Sequence, residues 1–303
     1  MSEPVRITVT DDLDDVEAPI PPEREGDMSQ VTVRVGDGPE RIRAAFDAAR
    51  GQDRAALVIY LPAGFPDMET SQACLRAAAE AGADLLEVGF PFSDPMMDGP
   101  IIQAASQQAL DHGYTVADDL AMCTRLNAEV DVPALVMTYV TIADTRGWAR
   151  FAEACVAAGL AGAILPDLPA AEAGPWIEHA RPRGLATVFL ASSVSADHRL
   201  DGIAEASNGF VYATGLLGVT GVKDVAQDDA RVLVERLRTR TDTPIAVGIG
   251  VKTREDAGQV AAYADGVIVG SSVVDAAAKG DPATAPDRVA ALVGQLREGC
   301  SSR

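Results

Sequence analysis

Residues 84–113 read DLLEVGFPFSDPMMDGPIIQAASQQALDHG, and the parsing of this run decides the fold. DLLEVGF, Asp84 to Phe90, is short, apolar and bounded by turn residues, the mark of a strand; IIQAASQQALDHG has helical spacing and ends on a glycine. PFSDPMMDGP between them is crowded with proline, aspartate and glycine, so it forms a shaped loop rather than a helix. Strand alternation puts Leu85, Glu87 and Gly89 on one face, with Leu86 and Val88 on the other packing against helices. Such a strand is buried on both sides, as in a parallel sheet covered by helices. A carboxylate in its middle asks for a chemical reason.

The same strand-then-helix unit recurs in both directions along the chain. AALVIYL (Ala55 to Leu61) leads to METSQACLRAAAEAG, and a further helix, VADDLAMCTRLNAEV, follows the unit quoted above. PALVMTYV (Pro133 to Val140), GAILPDL (Gly162 to Leu168), LATVFLA (Leu185 to Ala191) and GFVYAT (Gly209 to Thr214) each precede an amphipathic run. PIAVGIG (Pro244 to Gly250) and GVIVGSS (Gly266 to Ser272) bring the strands to eight. Eight such units call for right-handed parallel crossovers, and about 250 residues is the usual size of a (β/α)8 TIM barrel. A doubly wound open sheet would announce itself with GxGxxG after the first strand, where this chain has LPAGFPD. The expected architecture is therefore a single TIM barrel over residues 31–303. Residues 1–30 are acidic, proline-bearing and without apolar periodicity, the composition of a disordered tail. The first helical run of the globular part is ERIRAAFDAARGQ, from Glu40.

The chain has 303 residues, 48% of them hydrophobic, enough for one large core. Its 45 acidic residues exceed 25 basic ones, for a net charge of −20. That sign argues against partners made of nucleic-acid phosphate or anionic membrane. Four scattered cysteines without a CxxC pair fit a reducing cytoplasm. No apolar run approaches the roughly 20 residues needed to span a bilayer, and the first residues lack an export signal.

In β/α barrels the site lies at the strand C-terminal ends, with phosphate commonly held after the last two strands. The seventh strand ends in Gly248 and Gly250, and the eighth is followed by Gly270, Ser271 and Ser272 opening a helical run. Glycine N–H groups, serine hydroxyls and a helix N-terminus together suit a phosphate. The loop after the sixth strand adds Gly218, Thr220 and Gly221. A phosphorylated small molecule is the expected ligand. For its chemistry, the three lysines, Lys223, Lys252 and Lys279, fall in loops or helix edges rather than in a strand interior. His112, His179 and His198 fall on or beside helices, which leaves a metal site short of its usual imidazoles. What remains is carboxylate acid/base work. Glu87 points into the barrel mouth, where desolvation raises its pKa toward the range of a general acid; a structural ion pair is the alternative. Asp98 in the following loop is either an exposed turn residue or a second carboxylate reaching the same ligand, and Asp94 braces the turn.

Taken together, YLPAGFPD, LLEVGFPFSDPMMDGPIIQ, LVMTY, ILPDLP, GFVYATGLLGVTG, VGIGV and ADGVIVGSS, in this order over Glu40 to Gly299, resemble the tryptophan synthase alpha chain family. The resemblance implies retro-aldol cleavage of indole-3-glycerol phosphate to indole and glyceraldehyde 3-phosphate, with no cofactor in this chain. It also implies a beta-chain partner carrying pyridoxal phosphate, in an alpha2beta2 assembly. Carried to matching positions, Glu87 becomes the acid toward the indole ring and the base toward the glycerol hydroxyl. Asp98 becomes the partner of the indole N–H. Tyr60, Tyr139, Tyr212 and Thr220 become substrate contacts, and Gly221, Gly250, Gly270 and Ser271 phosphate contacts.

Three segments depart from the family pattern. Thr141 and Ile142 stand where Asn and Pro are usual, ASSVSADHR replaces a segment that usually carries proline, and GLL at Gly215 to Leu217 replaces small polar residues. The bulky Met96 and Met97 also enlarge the loop before Asp98. These departures leave both carboxylates intact and open two alternatives to the subunit reading: a stand-alone lyase releasing free indole, or a regulatory alpha-like chain.

Overall fold

The computed structural model describes residues 37–215 and 223–301, with the side chains of 223–227 outside that description. The expected tail and the positions Gly218, Thr220 and Gly221 lie outside the described residues. The chain order begins α1 (Gly38–Arg50), β1 (Ala56–Pro62), α2 (Met68–Glu80), β2 (Leu85–Gly89), α3 (Pro100–Asp111) and α4 (Val116–Glu129). It continues with β3 (Ala134–Met137), α5 (Val140–Arg146), α6 (Trp148–Ala157), β4 (Gly162–Ile164), α7 (Gly174–Ala180), β5 (Ala186–Ser192) and α8 (Asp197–Ala206). It ends with β6 (Val211–Thr214), α9 (Lys223–Arg238), β7 (Ile245–Gly248), α10 (Arg254–Ala261), β8 (Gly266–Val269), α11 (Ser271–Ala278) and α12 (Ala285–Gly299). The eight strands close in sequence order, each parallel to its neighbours, with β8 returning to β1. This is a TIM barrel.

Alternation sorts the strand residues into two cores. Ala56, Val58, Leu85, Leu135, Ile164, Ala186, Val188, Ala246 and Ile268 fill the barrel interior, while Leu57, Ile59, Leu86, Val88 and Val136 face the helices. The interior cluster also contains Ile42, Phe46 and Ala49 of α1, so this helix plugs the lower end of the barrel. Phe46 meets Phe210 with centroids 5.8 Å apart, and Ile42 and Phe46 lie against Gly209 and Gly266 at strand N-termini. Gly38 donates its N–H to Gly184 O at 2.8 Å; a methyl group there would collide with Ala161 O. Helix starts are set by side chains: Asp67 accepts from Thr70 N–H, and Thr115 and Thr253 form reciprocal capping boxes.

Several strands are shorter than the sequence predicts. PALVMTYV yields strand only to Met137, because Tyr139 turns the chain into α5, where Val140 N–H donates to Asp167 Oδ1 at 2.9 Å. In GAILPDL the strand stops at Ile164, ahead of Pro166, which has no N–H to give the ladder. The helix expected over AAEAGPWIEHARPRG forms only at Gly174–Ala180, between short 3-10 turns, with Pro175 at its start and Pro182 beyond its end.

Candidate active site

The β1–β2 register pairs Tyr60 with Glu87, so the two inward side chains sit one level above Val58 and Leu85 at the C-terminal end of the barrel. Glu87 is 0% exposed, and neither carboxylate oxygen has a hydrogen-bond partner among the described residues. Among the described residues no ion-pair partner reaches it, which counts against the structural alternative raised by the sequence. Burial pushes its pKa up to about 8, which keeps it a neutral carboxylic acid at neutral pH. A protonated acid whose oxygens are committed to no other group has a proton to give.

Asp98 comes from the loop between β2 and α3. Burial raises its pKa to about 6, against the opposing pull of the hydrogen bond donated by Tyr139 Oη to Asp98 Oδ2 at 3.2 Å. The two carboxyl groups share one pocket: Tyr60 lies within the electrostatic reach of Asp98, Glu87, Tyr139 and Tyr212, and Tyr212 within that of Glu87 and Asp98. The phenols of Tyr60 and Tyr212 are pushed well above their usual range, chiefly by burial, and remain protonated donors. The site thus holds one acid that is neutral and one that ionises about two pH units lower, the division of labour that acid/base catalysis needs.

Two glycines that alternation marks as inward-facing turn out to shape this pocket. The Tyr60 ring leans over Gly89 on the next strand, where a Cβ would come within 2.7 Å of its ring carbons. Tyr212 does the same over Gly248, with its hydroxyl 2.8 Å from a Cβ built there. Phe92 is a further residue the sequence did not single out; it stacks on Tyr139 at 5.1 Å between centroids and 21° between planes. Its aromatic side chain was legible, but not that the loop folds back onto β3.

On the adjoining rim, at the end of β8 next to β1, Gly270 precedes α11 and lies against the Tyr60 ring, with Tyr60 Cδ1 3.3 Å from a Cβ built there. Ser271 is the first helical residue, and the Ser272 hydroxyl donates to Val251 O at 3.0 Å, joining α11 to the loop after β7. Gly250 in that loop has φ +78°, a left-handed conformation, with open space where a side chain would begin. Val273 and Val274 N–H both turn back to Gly270 O, so the N–H groups of Ser271 and Ser272, ahead of them, are the ones an anion could use. Glu87, Asp98, Tyr60, Tyr139 and Tyr212 are therefore brought together, with Gly250, Gly270 and Ser271 at the adjoining rim.

The four cysteines are free and buried. No group of three or more His, Cys, Asp or Glu side chains among the described residues is placed to hold a metal ion. No helix among them is long and apolar enough to cross a membrane.

Comparison with known proteins converges on one family. The tryptophan synthase alpha chain family model matches residues 46–300. The tryptophan synthase alpha chain of Streptomyces avermitilis is 45% identical over 253 residues, covering 83% of this chain and 91% of the relative. A crystal structure of tryptophan synthase from Mycobacterium tuberculosis aligns with TM-score 0.80 at 42% identity, over 86% of this chain and 98% of the other. A chain from the tryptophan synthase complex of Pyrococcus furiosus aligns with TM-score 0.73 at 31% identity, over 80% and 98%.

Proposed function

The chain belongs to the tryptophan synthase alpha chain family, and from that premise we propose that Glu87 and Asp98 are the acid and base of its carbon–carbon cleavage. It is a lyase that serves as the alpha subunit in tryptophan biosynthesis. The proposed substrate is indole-3-glycerol phosphate. The observation that carries the residue assignment is Glu87, fully buried and unpartnered inside a mouth lined by tyrosines.

Glu87, neutral below about pH 8, protonates the indole ring carbon that bears the glycerol chain. The ring becomes iminium-like, and its N–H donates to ionised Asp98, whose negative charge opposes the developing positive one. The Glu87 carboxylate then takes the proton from the side-chain hydroxyl next to the ring. The carbonyl forms, the carbon–carbon bond breaks, and its electron pair returns to the ring. Indole and glyceraldehyde 3-phosphate result, and Glu87 is again protonated. Gly250, Gly270 and Ser271 hold the phosphate with neutral donors, which the net charge of −20 does not oppose locally. Thr220 and Gly221 would extend these contacts from the loop after β6.

Family membership implies a beta-chain partner in a complex. An alpha2beta2 assembly, with pyridoxal phosphate belonging to the beta chain, is the finer proposal. Support for a partner comes from the active face, where Met96 is 88% exposed, Val194 74% and Ile101 43%. Large apolar side chains exposed at this end of the barrel are costly to leave in water and suit a covering surface. Indole release from indole-3-glycerol phosphate, measured with and without a cognate beta chain, tests the reading. Acceleration by the beta chain supports the subunit; an unchanged rate favours a stand-alone lyase, and no release with any partner favours a regulatory chain.

A further inference from the structure

Tyr139 joins two parts of the site through a single oxygen. Its hydroxyl accepts the Met97 N–H at 2.9 Å and donates to Asp98 Oδ2 at 3.2 Å. The ring is buried and stacked on Phe92, which belongs to the same loop, so three successive features of that loop converge on one side chain. Behind it, the barrel fixes Tyr139 itself: it is the residue before α5, and the next N–H, that of Val140, is held by Asp167 from the loop after β4.

The other hydrogen bonds of the loop from Pro91 to Asp98 stay local. Met96 N–H donates to Asp94 O, Asp98 N–H to Pro95 O, and Ser93 Oγ to Asp94. Gln103 of α3 donates to Asp98 O and, at longer range, to Pro95 O. Among the described residues, Tyr139 is thus the loop's hydrogen-bonding link to the barrel wall. We infer that Tyr139 is a positioning residue that latches this loop to the barrel wall just beyond β3 and, through the same hydroxyl, couples the seating of the loop to the ionisation of Asp98.

The coupling follows from hydrogen-bond chemistry. A phenol donating to a carboxylate makes a shorter and stronger bond than one donating to a carboxylic acid. Loss of the Asp98 proton therefore tightens the latch, and a seated loop favours loss of the proton. Among the described residues, Asp98 acts electrostatically on Tyr139, just beyond β3, on Tyr60 of β1 and on Tyr212 of β6; Glu87 of β2 acts on the same Tyr60 and Tyr212, and Asp167 acts on Tyr139. Of these, Glu87 is neutral where Asp98 titrates and the tyrosines stay protonated, which leaves Asp98 to set the pH dependence. The inference rests on the assigned role of Asp98 only for its kinetic consequence.

The test uses the full chain with Tyr139→Phe, which keeps the ring and its stack on Phe92 and removes only the hydroxyl. The titration of the Asp98 carboxyl carbon, followed by NMR and assigned by comparison with Asp98→Asn, should move up by about one pH unit, a tenfold loss of acidity. Hydrogen-exchange protection at the Met97 amide should fall about tenfold in the variant, and in the unaltered protein it should weaken as pH drops below about 6. An unmoved Asp98 midpoint, or Met97 protection that ignores both the substitution and pH, overturns the latch. The acid limb of kcat/KM for indole release should follow the Asp98 midpoint upward. If the midpoint moves and the acid limb does not, the latch stands and the catalytic assignment of Asp98 fails.

Discussion

Tyr60 stands directly across the β1–β2 ladder from Glu87, and its ring spreads forward over Gly89, the next inward position on Glu87's own strand. The absence of a side chain at residue 89 is what lets a bulky phenol lie beside the acid. Gly89→Ala places a methyl group on the Tyr60 hydroxyl and ring, so the ring must swing into the pocket. The expected outcome is a fall in kcat/KM for indole release of at least tenfold, with a stability loss of about 1–3 kcal/mol from overpacking. Steady-state kinetics and urea unfolding on the same variant measure both, and wild-type kinetics would contradict the placement of Tyr60.

Glu87→Gln removes the acid and should reduce indole formation by several orders of magnitude. Its stability should move the other way. Glu87 has its folded pKa raised to about 8, so its contribution is fully present below the ordinary value of 4.5 and is lost as pH climbs through 8. Glutamine carries no such penalty. The variant should match the unaltered protein near pH 4 and exceed it increasingly up to pH 8, by about 1.4 kcal/mol for each tenfold change in acidity, a few kcal/mol at most. Denaturant curves across that range check the sign.

The rate profile should be bell-shaped. With Asp98 ionising at about 6 and Glu87 deprotonating at about 8, kcat/KM should rise through the first value and fall through the second. Asp98→Asn should abolish the rising limb while leaving the falling one. A profile flat between pH 5 and 9 would remove both carboxylates from the chemistry.

Asp119 offers a comparison away from the mouth. It lies in α4, 3% exposed, with Oδ1 unpartnered, and burial lifts its pKa to about 8. By the same sign, its contribution is present below 3.8 and lost as pH rises through 8. Asp119→Asn should therefore stabilise the protein above about pH 5 without altering indole release. A stability gain accompanied by lost activity would show that this helix does more than pack.

For the phosphate rim, Gly250→Ala forces a side chain into a left-handed turn with φ +78°, and Ser271→Ala deletes a hydroxyl at the start of α11. Both should raise KM severalfold for the phosphorylated substrate with a smaller change in kcat, the pattern of lost uniform binding. Competition by inorganic phosphate should weaken in parallel.

Much of this site could be read along the chain because it obeys local rules. The alternation through Leu85, Glu87 and Gly89 already sends the glutamate inward, and eight strand–helix units in series leave little choice of architecture. What escaped depends on register and return of chain. Tyr139 and Asp98 are 41 positions apart, and nothing in either neighbourhood announces that a phenol at the start of α5 will meet a loop that starts at β2. Gly89 was legible as an inward residue, but its reason lies on the adjacent strand. The turn of Tyr139 into α5 was hidden because VMTYV favours a strand by propensity, while the Asp167 contact that holds the turn comes from the loop after β4. ERIRAAFDAARGQ was legible as a helix, while its place under the barrel is a tertiary fact.

That place governs traffic. With Ile42 and Phe46 stoppering the floor, the α1 end of the barrel is closed to anything that forms beside Glu87. Traffic is thereby turned toward the other end, where the strands finish and the loop bearing Met96 stands in solvent.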